Sequence, residues 1–342
     1  MNSFAYCRRA VRSAKSNFSL AFYLLPPDAR RAMDALYAFM RATDDLSDVA
    51  GLCEAGSHKT GHLLSDVAGL CEAGAEAATP QLSGFRGLRP QLQKEKVSTI
   101  GVTDPSYKTS YDTGTTLEKR AAITAWRHGT EGALAGEYTH PIHAALHHTV
   151  RTFPISPRYL FDVIDGVEAD LDIVRFATFD ELRPYCYRVA SAVGLACLPI
   201  WGCRDPAATR SGEAVGIAFQ LTNILRDLGE DRVRGRVYLP QDDLVRFGCP
   251  PETWSHTDPA FIAMMQFQVS RAEQFYREGE ALNEYLSPSG RAIFSVMNRT
   301  YRALLATIVR KKFDVFTDRV RVAKWRKMTA FAMAWPIKWG WS

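Results

Sequence analysis

The chain has 342 residues, 46% of them hydrophobic and 23% charged, with a formal net charge of +5; such a composition builds a full core and excludes disorder of the whole chain. Seven cysteines, an odd number with no CxxC pair, argue against a disulfide framework or a zinc ribbon. No apolar run reaches the roughly 18–20 residues of a membrane span, and the nearest two, residues 189–202 and 329–341, are shorter and each contains a proline.

In chain order, Arg8, Arg9, Arg12 and Lys15 precede no apolar block with a cleavage site, which points away from secretion and, with the cysteine usage, toward the cytoplasm. Pro26-Pro27-Asp28 opens a helix whose apolar face is Met33, Leu36, Tyr37 and Met40, up to Thr43. Three-to-four-residue apolar spacing returns over residues 119–136, 157–166, 180–196, 212–230, 259–285 and 288–313, punctuated by Pro or Gly. Strand-like alternation is scarce. The expected fold class is all-α, in one domain.

One region departs from this pattern. Residues 46–56 read LSDVAGLCEAG, and residues 64–74 repeat them at an offset of 18. Two copies this close fit no stacked repeat. The stretch that follows lacks steady periodicity, and a loop of this length is foreign to a compact domain. Residues 57–115 are therefore expected to be an inserted, disordered segment dividing one catalytic domain made of residues 1–56 and 116–342.

Two acidic clusters carry the chemistry. Asp44 and Asp48, four residues apart in RATDDLSD, project from one helical face, and Asp227 and Asp231 repeat the spacing in NILRDLGED, with Asn223 one turn earlier. Like charges at this spacing destabilise an isolated helix, and a hard divalent cation offsets the cost. Magnesium prefers such oxygen ligands and bridges to phosphates; Arg41 and Arg226 would neutralise the remaining charge. Two solvated acidic surfaces are the plain alternative. His140, His143, His147 and His148 cluster near Pro141 without an HExxH pattern or an acidic third ligand, so they are not read as a metal centre. Cys186 and Cys197 read as core.

The C-terminal residues 299–342 hold eleven Lys or Arg against Asp314 and Asp318, a local net of +9 that leaves about −4 for the rest. Trp325, Trp335, Trp339 and Trp341 lie there among Met, Ala and Ile, which suits a membrane-surface helix better than nucleic acid. A solvated basic face is the alternative.

These motifs, together with YCYRVASAVG (residues 185–194) and GRVYLP (residues 235–240), resemble the squalene/phytoene synthases, which couple two prenyl diphosphates head to head. Apart from the insertion, the resemblance covers nearly the whole chain. It implies a single-domain, isoprenoid synthase-type helical bundle with a central apolar cavity, and a magnesium-dependent prenyltransferase; the C-terminal composition already argues for no nucleic-acid partner. Asp44, Asp48, Asp227 and Asp231 match the family's metal-binding aspartates. Arg41, Gln220, Asn223 and Arg226 match its diphosphate and metal-shell contacts, with Asn223 also counted among the metal ligands. Tyr185 matches a tyrosine of the carbocation steps, Tyr301 a C-terminal tyrosine reaching a diphosphate, and Ser16 belongs to a Ser/Lys-rich diphosphate loop.

An ionised allylic diphosphate demands a dry apolar site. Val189, Ala190, Val193, Gly194, Leu195, Phe219 and Leu221 are candidates for its wall, with plain helix packing as the alternative. Leu24-Leu25-Pro26 resembles bacterial squalene-pathway members, which favours farnesyl diphosphate going to presqualene diphosphate or squalene. The alternative is phytoene synthase acting on geranylgeranyl diphosphate, since GRVYLPQDD resembles those enzymes equally. No dinucleotide fingerprint indicates NADPH, although the family resemblance leaves its use open. A terpene cyclase and a non-catalytic membrane-associated relative rank lower, because the YCYRVA block and both acidic clusters are intact.

Overall fold

The computed structural model describes residues 2–13, 20–48, 116–172 and 175–340, with only the backbone given for Ser47 and Asp48. The proposed insertion at 57–115 and the loop residue Ser16 lie outside the described residues. All regular structure among the described residues is helical, apart from one isolated bridge between Arg175 and Val237. The all-α expectation holds.

Helix α1 (Ser3–Ser13) buries Tyr6, Cys7, Ala10 and Val11 against α2 (Pro27–Asp48). Proline suits the first helical position, where its missing N–H costs nothing. The α2 periodicity continues one turn beyond Thr43, so the first acidic cluster sits on helix. Next come α3 (Thr116–Ala135), α4 (His143–Thr152) and α5 (Pro157–Ala169). Trp126 on α3 is fully buried and stacks on Phe39 of α2 at 5.6 Å.

Residues 180–196, expected as one helix, belong to an uninterrupted helical run over 179–197, in which a π-helical segment (Tyr187–Ser191) joins α6 (Phe179–Cys186) to α7 (Ala192–Cys197). Pro184 lies inside α6 and lacks the N–H that would bond one turn back. Immediately after it, the chain widens to π geometry, which recurs at functional sites.

Helix α8 (Ala208–Val233) runs through the centre of the molecule. Its residues Ala214, Val215, Gly216, Ile217, Ala218 and Phe219 are buried in succession, so no single face is apolar. After α9 (Gln241–Arg246), α10 (Pro259–Glu278) packs along α8. The expected 259–285 helix breaks at Gly279, where a Cβ would sit 2.4 Å from Val215 Cγ2; a short α11 (Leu282–Tyr285) follows. Helix α12 (Pro288–Arg310) and α13 (Lys324–Ile337) close the bundle. Cys186 and Cys197 are buried, as expected.

His140 and His143 pack at Trp126, with ring centroids 5.1 and 5.6 Å away. Their Nδ1 atoms accept backbone N–H groups, from Ile142 for His140 and from Thr139 and His140 for His143. Burial pushes both imidazoles down from 6.5 to about 4, and for His143 the neighbouring His140 adds to this. The fold therefore holds both neutral, whereas the unfolded chain takes up protons below its ordinary value. Stability should fall as pH drops from 6.5 through about 4. The two imidazoles together contribute a loss of several kcal/mol, since each tenfold difference in proton affinity between folded and unfolded chain is worth roughly 1.4 kcal/mol; Asp231, whose carboxyl is pushed up to about 7 in the fold, offsets part of it over the same window. Melting curves across this window should show the loss, and replacing both histidines by Gln should flatten it. An unchanged slope in the double variant would assign the acid sensitivity elsewhere.

Candidate active site

The second half of α8 buries Leu221, Ile224, Leu225 and Leu228, which leaves Gln220, Asn223, Asp227 and Asp231 along one partly open face. Asp227 is held by two guanidinium groups. Arg226 Nε donates to its Oδ1 at 2.7 Å while Nη2 donates to Oδ2, and Arg319 Nη2 approaches Oδ1 at 3.1 Å. Arg319 also reaches Glu230 at 3.5 Å. Asp231 carries the opposite imbalance: burial first, and then Asp227, push its carboxyl up to about 7, against Arg234 and Arg236.

Asn223 Nδ2 donates to Gln220 Oε1 at 3.4 Å, while its Oδ1 is buried without a hydrogen bond of good geometry. Tyr301 from α12 stacks on Phe219 at 4.1 Å and 9°. Burial raises its phenol pKa, opposed by the adjacent Asn223 and Arg226. The structure thus brings Gln220, Asn223, Arg226, Asp227, Asp231 and Tyr301 to one site.

The first cluster ends α2. Trp126 Nε1 donates to Thr43 Oγ1 at 2.9 Å, and Thr43 Oγ1 donates to the Phe39 carbonyl, fixing the turn that carries Asp44. Asp44 is exposed. Arg41 pairs with Asp45 at 2.5 Å through Nη2 and is half exposed, which leaves further guanidinium N–H groups for the expected diphosphate contact. The Asp48 carboxylate lies outside the described residues.

The donor set of the second cluster suits a hard divalent cation: two carboxylates one turn apart, one of them disfavoured as an anion by the other, and an amide oxygen with no bond of its own. Among the described residues, no three His, Cys, Asp or Glu side chains converge as a ready-made metal centre; the site would take its remaining donors from the first cluster, substrate or water.

Of the wall candidates, Val189, Ala190, Val193 and Gly194 are half-buried, and a Cβ on Gly194 would meet nothing within 4 Å. Leu195 and Leu221 are core residues, and Phe219 lies beneath Tyr301. Two surface clefts of about 400 and 420 Å³, one along Val269, Val309 and Phe313 and one along Phe4, Arg31 and Phe153, are lined by none of the candidate residues.

Tyr185 is buried, and its hydroxyl donates to Asp170 Oδ1 at 2.8 Å. Burial and then the Asp170 charge hold its pKa well above the ordinary phenol range. Tyr238 donates to the same oxygen at 3.2 Å, and the two rings stack at 5.4 Å and 20°. Arg236 donates to the Asp170 carbonyl at 3.1 Å and lies close enough to Asp231 to oppose its raised pKa. Asp170 and Arg319 were not among the sequence candidates. Tyr238 and Arg236 lay within the GRVYLP block, without assigned roles.

The squalene/phytoene synthase pattern matches residues 11–100 and 109–326. The chain belongs to the squalene/phytoene synthase family. Members of this family are prenyltransferases that condense prenyl diphosphates head to head, and the protein is an enzyme of that type. It is 36% identical to a 15-cis-phytoene synthase of Synechococcus elongatus over 228 residues, covering 63% of this chain and 74% of the relative. A phytoene synthase of Arthrospira platensis is 37% identical over 235 residues, with 64% and 75% covered. A chloroplastic phytoene synthase of Narcissus pseudonarcissus is 29% identical over 338 residues, covering 96% of this chain and 65% of the relative. The fold is similar to that of a ligand-bound dehydrosqualene synthase, at a TM-score of 0.71, 24% identity and coverage of 97% and 95%. A squalene synthase from Alicyclobacillus acidocaldarius aligns at 0.67 and 24%, covering 91% and 94%.

Proposed function

We propose that the protein joins two molecules of geranylgeranyl diphosphate into a forty-carbon hydrocarbon, the reaction of phytoene synthases. The observation that carries the twenty-carbon substrate is the naming of relatives at 36% and 37% identity as phytoene synthases. Read alone, the N-terminal features favour the fifteen-carbon farnesyl diphosphate; the relatives weigh for the longer chain.

In this reading, Asp227, Asp231 and Asn223, with Asp44 and Asp48, hold magnesium. Bound there, magnesium would supply Lewis acidity to a leaving diphosphate. Arg226, Gln220, Tyr301, Arg41 and Ser16 contact the diphosphates. Val189 and Ala190 belong to the apolar wall that keeps water from the cation, and Tyr185 offers that cation its ring face. One substrate loses its diphosphate, and its C1 alkylates the C2–C3 double bond of the other. A proton leaves, giving a cyclopropylcarbinyl diphosphate. Loss of the second diphosphate, rearrangement and loss of a second proton complete the hydrocarbon. No hydride is consumed, so NADPH is not required; squalene formation replaces the second proton loss by hydride delivery. Parallel kinetics with the two substrates test the chain length. The twenty-carbon diphosphate should have the higher kcat/KM by about tenfold or more, and a preference for farnesyl diphosphate would overturn the assignment.

No helix among the described residues is long and apolar enough to cross a membrane. Helix α13 packs through Ala330 and Ala334 and leaves Trp325, Trp335 and Trp339 exposed at 62%, 47% and 67%. Lys338 lies over both Trp335 and Trp339, and Arg326 over Trp325. Such an aromatic and basic face suits the cytoplasmic surface of an anionic membrane, where prenyl chains partition. Each basic residue near that surface contributes roughly 1 kcal/mol. The protein should co-sediment with anionic vesicles, less so at high salt, and replacing the three tryptophans by Ala should release it without unfolding. Equal binding to neutral vesicles, or by the triple variant, would exclude this face.

A further inference from the structure

Asp170 caps the end of α5 through its backbone N–H, which leaves its carboxylate for other partners. It lies just beyond α5, 15 residues before Tyr185 and 68 before Tyr238, yet its Oδ1 accepts both phenol hydroxyls. Phe176 adds a third ring, 5.4 Å from Tyr185 and 6.2 Å from Tyr238. Arg236 donates to the backbone carbonyl of the same residue, and its charge also acts on Asp231 of the second acidic cluster. Arg236 thus stands between that cluster and the tyrosine pair, its backbone N–H donating to the Asp231 carbonyl at 2.9 Å and its guanidinium to the Asp170 carbonyl at 3.1 Å.

The geometry assigns Asp170 as the positioning residue of the carbocation steps, fixing the stacked rings of Tyr185 and Tyr238 and turning their electron-rich faces and oxygen lone pairs, rather than their hydrogens, to the reacting carbons. This rests on the reading of Tyr185 as a carbocation contact. A phenol donating to a carboxylate has its hydrogen committed. It cannot protonate the developing alkene, and the nearby negative charge enriches the ring that faces a cation. The carboxylate is shared, so removing one hydroxyl leaves the other anchored. Removing the charge loosens both rings together.

The test compares Asp170→Asn, Asp170→Glu, Tyr185→Phe, Tyr185→Ala and Tyr238→Phe in the full chain with magnesium and geranylgeranyl diphosphate, alongside melting temperatures. Asp170→Asn keeps an acceptor oxygen but loses the charge. It should leave KM within about threefold and lower kcat by about tenfold to a hundredfold. The released material should shift toward the cyclopropylcarbinyl diphosphate and prenyl alcohols. Tyr185→Phe combined with Asp170→Asn should cost less than the product of the two single effects, because both act through one hydrogen bond. Asp170→Glu should recover part of kcat, which a merely structural role would not give. If Asp170→Asn does not fold, Tyr185→Phe, which keeps the ring but frees it from the Asp170 carboxylate, should still shift the products, and unchanged products in that variant would overturn the role of the hydrogen bond. Unchanged kcat and products in a folded Asp170→Asn, while Tyr185→Ala is impaired, would overturn the role of Asp170 alone. Wild-type behaviour of Tyr185→Ala would overturn it together with the reading of the site.

Discussion

Asp227→Asn should lower turnover by about 10²- to 10³-fold at saturating magnesium while costing only about 1 kcal/mol of stability. The substitution keeps the shape of the side chain and removes the charge that Arg226 and Arg319 now share. These two guanidinium groups are partly solvated, so the fold tolerates the loss. The metal site does not: Asp231, already pushed up to about 7 by burial and by its neighbour, cannot alone replace a pair of carboxylates. Steady-state kinetics and melting curves on one preparation separate the two effects. Near-wild-type turnover in this variant would remove Asp227 from the metal clamp.

Gly216→Ala should destabilise the protein by about 3 kcal/mol and abolish most activity. A Cβ there would lie 2.3 Å from Ser191 Cα and 2.6 Å from its backbone nitrogen, so the opposing atoms belong to main chain and cannot swing aside. Ser191 ends the π-helical segment and is tied to α8 through its hydroxyl on the Glu213 carbonyl at 2.8 Å. Moving that segment moves Val189 and Ala190, and with them the register of Tyr185. Gly194→Ala is the matched comparison. Its Cβ meets nothing within 4 Å, and the usual gain for replacing a helical Gly is about 0.5–1 kcal/mol. Thermal melting of the two variants side by side should therefore show opposite signs; equal shifts would contradict the close approach of α8 to the π segment.

What could be read from the sequence follows the distance over which each signal acts. Proline at the start of α2 and the spacing of Met33, Leu36, Tyr37 and Met40 are local, and they mark the helix. The pairing of Asp227 with Asp231 and Asn223 is likewise contained in two turns of α8. Tyr301, named from the resemblance, lies beside Asn223 and Arg226 and stacks on Phe219. The π segment escaped notice because one extra residue per turn barely disturbs an apolar pattern as short as residues 187–191. Asp170 escaped for a different reason: its partners lie 15 and 68 residues away, and nothing in EADLD distinguishes the carboxylate that meets two tyrosines from its solvated neighbours. Arg319 was counted only as charge in a basic tail, yet the loop after α12 brings it to Asp227. Substrate length has no local signature, since the depth of a cavity is set by many apolar side chains at once.

The central claim is the joining of two prenyl diphosphates through their C1 carbons. Incubating the protein with magnesium and geranylgeranyl diphosphate labelled with carbon-13 at C1 tests it directly, because carbon NMR of the extracted hydrocarbon reports which labelled atoms are bonded. Head-to-head joining predicts one forty-carbon product whose two labels occupy the symmetry-equivalent central CH pair, giving a single enriched olefinic carbon signal with the second-order pattern of two directly bonded CH groups in the proton-coupled spectrum. A cyclised product from a single substrate, or a dimer whose labelled carbons are separated, would contradict it.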